Sequence, residues 1–77
     1  MNIVIYSKAN CPACVTAKRL LDDKGIGYNE MDADNTHVRA ALQLSHPHVR
    51  QMPAIWINGQ NVGGLAGLQA ALKQLGV

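Results

Sequence analysis

The sequence predicts an α/β fold with the element order β-α-β-α-β-β-α, built by residues 1–77 as one domain. Three observations predict it. Between Ile3 and Met31 a short β-rich apolar run, a helix-patterned stretch and a second extended run follow one another, which is a βαβ unit. Asn58-Gly59 directly after the apolar run Pro53–Ile57 is a strong hairpin signal. Leu65, Leu68, Leu72 and Leu75 then recur at helical spacing up to Gly76.

Ile3 to Tyr6 suits a strand buried on both faces. Ser7 to Asn10 is a polar loop in which Asn10 is a candidate helix cap, and Pro12 suits the first helical turn, where a missing N–H costs nothing. Val15, Ala17, Leu20 and Leu21 form the apolar face of that helix, with Lys18, Arg19 and Lys24 on its polar side and Gly25 as its stop. Gly27 to Met31 is the second strand. Asp34 or Asn35 caps a second helix carrying Val38, Ala41, Leu42 and Leu44. Ser45 to Gln51, interrupted by Pro47, is a loop; Pro53 to Ile57 is the third strand, and Asn61-Val62 begins a short return strand that ends at Gly63-Gly64. Trp56 falls in that third strand and is expected in the core or on a sheet face rather than as a binding platform.

Composition excludes several classes. With 48% hydrophobic and 16% charged residues the chain is not disordered, and its apolar stretches are too short to cross a bilayer. A net charge of +2 from seven scattered basic residues gives no nucleic-acid footprint. Met1-Asn2-Ile3-Val4-Ile5 reads as strand and has no basic n-region, so a cytoplasmic monomer, with neither membrane nor nucleic acid as partner, is expected. A core of this size is marginal and often needs a metal, a disulfide or a partner.

Cys11 and Cys14 are the two cysteines, three positions apart. A bridge closing so short a loop removes little unfolded-chain entropy and is a poor staple. Redox chemistry is the stronger reason for the pair. Cys11 at a helix start, with Lys8 nearby, is expected to hold a thiolate, because unpaired N–H groups and the helix dipole lower a thiol pKa from its free value of about 8.5. Cys14, one turn in, is expected to be less exposed and to keep its proton. Such a pair performs thiol–disulfide exchange: Cys11 attacks a disulfide and Cys14 resolves the mixed disulfide. A zinc or iron–sulfur module is the rival reading. Only His37, His46 and His48 remain to complete a four-ligand zinc site, and His46-Pro47-His48 lacks the usual spacing, so these are expected to be solvated loop residues. A third reading is a non-catalytic interaction domain using the groove at Pro53.

Tyr6-Ser7-Lys8-Ala9-Asn10-Cys11-Pro12-Ala13-Cys14, then Met52-Pro53, then Ile57-Asn58-Gly59-Gln60-Asn61-Val62-Gly63-Gly64 resemble, in this order, the glutaredoxin family over essentially the whole chain. The resemblance implies a thioredoxin fold with a four-stranded mixed sheet in the order 2-1-3-4, the third strand antiparallel to the first, and helices on both faces. It implies a cis Met52-Pro53 bond that turns the Met52 backbone towards Cys11, where an extended substrate could pair with it. It implies no tightly bound cofactor, glutathione as reductant or substrate, and disulfide-containing proteins as partners. The binding positions carried over are Lys8, Pro12, Ala13, Gln51, Met52, Pro53, Gly63, Gly64 and Leu65. Glycines and the N–H groups opening the last helix would admit an anionic ligand. Arg50 or Gln51 is placed to meet a ligand carboxylate. Two departures stand out: Ala13 replaces the family's usual aromatic, and Leu65-Ala66-Gly67 lacks the acid that commonly follows the glycine pair. Val49-Arg50-Gln51-Met52-Pro53 is similar instead to NrdH redoxins, which implies an alternative: electron donation to ribonucleotide reductase, with reset by thioredoxin reductase.

Overall fold

The computed structural model describes residues 1–77. Strand β1 (Ile3–Ser7) leads into helix α1 (Pro12–Asp23), then β2 (Asn29–Asp32), α2 (Thr36–Ser45), β3 (Ala54–Ile57), β4 (Gln60–Gly63) and α3 (Leu65–Leu75). The strands form one sheet in the order β2-β1-β3-β4. β1 runs parallel to β2, with Val4 opposite Asn29 and Ser7 opposite Asp32, and antiparallel to β3, with Ile3 opposite Ile57 and Tyr6 opposite Ala54. This is the mixed sheet, and the strand order, that the resemblance implies.

The strands form where β-branched residues gather. Ile3, Ile5, Ile55 and Ile57 are buried and pack with Ala17 and Leu21 of α1 and Leu68 and Leu72 of α3. On the other face Leu42 of α2 packs with Ala54 and Trp56, joined by Val49 and Met52. Trp56 is thus core, edge-to-face with Tyr6 at a ring separation of 5.4 Å. The β3–β4 turn uses Asn58 (φ 52°) and Gly59 (φ 82°), both left-handed as a tight two-residue hairpin turn demands.

Several sequence expectations shift, and one open alternative is resolved. β2 covers Asn29–Asp32 rather than Gly27–Met31, and β4 begins at Gln60, one residue earlier than expected. Val15, Leu44 and Leu75 are 51%, 86% and 53% exposed, so they are not core-facing although each sits in an apolar pattern. Asn35, not Asp34, caps α2, its Oδ1 accepting from the N–H groups of His37 (2.9 Å) and Val38 (3.2 Å). Asn10 does not cap α1: its own backbone is left-handed (φ 55°), and the cap falls one residue later.

Candidate active site

The residue that caps α1 is Cys11. Its backbone is extended (φ −124°, ψ 93°), and its Sγ accepts the Cys14 N–H at 3.1 Å. A side-chain acceptor at this position normally is an oxygen of Ser, Thr, Asp or Asn; here a sulfur takes the place. Pro12 occupies the first helical position, where its missing N–H leaves nothing unpaired. No acid lies in the first turn of α1 to oppose negative charge on the sulfur.

Cys11 and Cys14 are joined as a disulfide. Cys14 is 1% exposed and Cys11 8%, so the order of accessibility expected from sequence holds, with both sulfurs shielded in this oxidised form. The Met52–Pro53 peptide is cis, and the Met52 carbonyl oxygen lies 3.6 Å from Cys11 Sγ.

The loop before Cys11 is tied on its far side. The Ala9 N–H donates to Asp34 Oδ2 at 2.7 Å, and the other Asp34 oxygen faces Arg39 Nη2 at 3.7 Å. Beneath it, buried Ser7 donates from Oγ to Glu30 Oε2 at 2.6 Å, and Lys18 of α1 reaches the same oxygen at 2.7 Å. The Lys18 hydrogen bond, followed by that of Ser7, holds the Glu30 carboxyl below its ordinary value, and the Glu30 hydrogen bond raises the Lys18 ammonium above its own. The end of β1, the middle of α1 and β2 are thereby pinned together.

Beside the disulfide runs a groove of about 520 Å³. Ala13 forms its α1 wall; Gln51, Met52 and Pro53 form the side before β3; Gly63, Gly64 and Leu65 form the side at the start of α3. Two expected binding positions lie elsewhere: Lys8 and Pro12 are exposed but do not line the groove. The sequence reading missed His48, Val49, Ala54 and Asn61 as lining residues. Only the fold reveals them, since they gather from a loop and two strands with no shared motif; Arg50, which sequence placed near a ligand, is in the groove wall.

The histidines are not all solvated, as sequence had them. His46 is half-buried with its ring 4.7 Å from that of Trp56, an apolar platform that a lone loop position does not announce. His48 is exposed and lines the groove. No three His, Cys, Asp or Glu side chains converge where they could hold a metal ion.

The acid missing after the glycine pair has a physical reason at one position. A Cβ on Gly67 would stand 2.8 Å from the Val62 carbonyl carbon and closer still to its oxygen. α3 approaches β4 so closely that residue 67 has no room for any side chain, a carboxylate included.

Comparison with known proteins agrees with this geometry. The Glutaredoxin family model matches residues 3–62. Glutaredoxin 3 of Escherichia coli is 33% identical over 69 residues, covering 90% of this chain and 83% of its own. The solution structure of a glutaredoxin from Brucella melitensis superposes with a TM-score of 0.73 at 36% identity, covering 99% of this chain and 82% of that one. A buckwheat glutaredoxin–glutathione complex superposes with a TM-score of 0.76 at 26% identity, over 94% of this chain and 68% of that one.

Proposed function

The chain belongs to the glutaredoxin family and is a thiol–disulfide oxidoreductase, and within that chemistry we propose that Cys11 is the nucleophile, Cys14 the resolving thiol, and protein or glutathione mixed disulfides the substrates. The observation that carries the assignment of roles is the Cys14 N–H directed at Cys11 Sγ at the opening of α1. When the disulfide is reduced, that donor and the helix start stabilise negative charge on Cys11, while Cys14, inside the helix and more deeply buried, has no comparable partner.

The reaction balances as a two-electron exchange. The Cys11 thiolate attacks one sulfur of the substrate disulfide, and the other sulfur leaves as a thiolate. Cys14 then gives up its proton and attacks Cys11 Sγ, breaking the mixed disulfide. The protein disulfide is formed and the substrate ends as thiols. The groove holds the substrate beside Cys11, and the Met52 backbone, next to the sulfur, offers an extended segment a place to pair. Glutathione is the proposed reductant: the buckwheat relative is described with glutathione bound, and Arg50 and Gln51 in the groove wall can meet its carboxylates.

The test is a pair of variants. Cys11→Ser abolishes reduction of every disulfide substrate, and Cys14→Ser keeps exchange with a glutathione mixed disulfide while losing the reduction of protein disulfides that needs both cysteines. Equal activity in wild type and Cys11→Ser removes the assignment. Offering the oxidised protein glutathione with glutathione reductase, or separately thioredoxin reductase, identifies the reductant; reset by thioredoxin reductase alone refutes glutathione in that role.

A further inference from the structure

Charge is distributed unevenly between the two ends of this sheet. All five acidic side chains, Asp22, Asp23, Glu30, Asp32 and Asp34, fall between the end of α1 and the start of α2. They therefore surround β2, at one edge of the sheet, and the groove lies towards β4, at the other. From residue 35 onward the chain has no acidic side chain, but it has Arg39, Arg50 and Lys73 and all three histidines.

The cations are not equivalent either. Lys18 is paired with Glu30 and Arg39 with Asp34. Arg50 makes no ion pair and lies in the groove wall with His48, and no carboxylate lines that groove. A ligand ammonium placed there would lose water without gaining an anion, whereas a ligand carboxylate would meet a free guanidinium.

We infer that the groove selects its substrate by charge, favouring disulfide-bearing peptide segments with Asp or Glu beside the reactive cysteine and rejecting segments flanked by Lys or Arg. Arg50 and His48 are the residues that set this preference. The inference rests on the proposed reaction of Cys11, and it adds which protein disulfides that reaction takes.

The experiment uses two disulfide peptides of equal length, alike except that one carries three aspartates around the disulfide and the other three lysines. Each is mixed with the reduced wild-type protein, and the peptide thiols formed in a single turnover are trapped by alkylation and counted. The acidic peptide is expected to react about tenfold faster at low ionic strength, with most of the difference lost in high salt. Arg50→Gln lowers the ratio about threefold and His48→Gln lowers it less, while Arg19→Gln, which removes a charge on α1 outside the groove, leaves it unchanged. Arg50 is exposed and takes part in neither ion pair, so its substitution leaves the fold intact. Equal rates for the two peptides, or an Arg19 effect as large as the Arg50 effect, overturns the inference while leaving the reaction standing. If neither peptide is reduced, the reaction assigned to Cys11 fails, and binding judges the groove separately. A serine-for-cysteine version of the acidic peptide should then shift the amide resonances of Arg50 and Gly64 where the basic one does not, and the absence of that contrast overturns the inference.

Discussion

At the scale of single residues, Cys11 joins two roles that are usually separate. As cap it accepts the Cys14 N–H, and as the less buried cysteine of the pair it is the proposed nucleophile. A serine there would cap α1 as well, so Cys11→Ser removes the chemistry and keeps the helix start. Elsewhere in the fold, Glu30 takes both Ser7 and Lys18 on one carboxylate oxygen. Its folded pKa lies below the ordinary 4.5, so its contribution to stability is complete above that value and lost as pH falls through the depressed folded value. Lys18 is raised above 10.5, so its contribution holds through neutral pH and is lost as pH rises through that higher value. With 42% of its side chain exposed, Glu30 is screened by solvent, and Glu30→Gln is expected to cost about 1 kcal/mol or less at neutral pH. Urea unfolding of both proteins as a function of pH checks the sign: the difference should vanish on acidification. A difference that grows below pH 4 would contradict the arrangement.

At the scale of elements, what could be read from the sequence depended on how much apolar surface each element buries. β1, β3 and the Asn58-Gly59 hairpin carry their own signals, and the structure places them where those signals fall, to within a residue. β2 does not. It is an edge strand with every residue exposed, so no alternation of apolar side chains fixes its frame, and only pairing with β1 shows that it starts at Asn29. On α2, Leu42 and Leu44 are two residues apart, which puts them on opposite sides of a helix; Leu42 is buried and Leu44 is not. The groove was half-legible for a similar reason. Motif positions such as Gln51, Met52, Pro53, Gly63 and Gly64 could be carried across, but His48, Ala54 and Asn61 enter it only through the packing of separate segments. Gly67 shows the same limit: in sequence it is a missing acid, and in the fold it is the point where α3 meets β4. Gly67→Ala is therefore expected to force α3 away from the Val62 carbonyl and to destabilise the protein by about 1–3 kcal/mol. A urea midpoint unchanged from wild type would show that the two elements are not packed so closely.

At the scale of the whole molecule, the sheet has unequal cores on its two faces. Eight buried residues join β1 and β3 to α1 and α3, and three join β3 to α2. The thinner face includes Trp56 and carries Met52 and Val49, so the loop that walls the groove rests on the weaker layer. A domain this small has a total stability on the order of 5 kcal/mol. Leu68→Ala, which removes a fully buried side chain from the thicker core, costs roughly 2–5 kcal/mol and is expected to remove a large share of that stability. Leu42→Ala removes the same atoms from a site with fewer neighbours to hold a cavity open, so its cost falls at the lower end of that range. Its effect should also be local. Amide hydrogen exchange would show α2 and residues 49–52 losing protection, with Leu68 and Leu72 remaining slow, because the α1–α3 layer closes over β1 and β3 without them. The groove would then lose its ordered wall before the fold is lost, and peptide-disulfide reduction should slow in Leu42→Ala at temperatures where far-ultraviolet circular dichroism is still native. Uniform loss of protection across both layers would mean that the two faces unfold as one, and that the groove is no more labile than the rest of the protein.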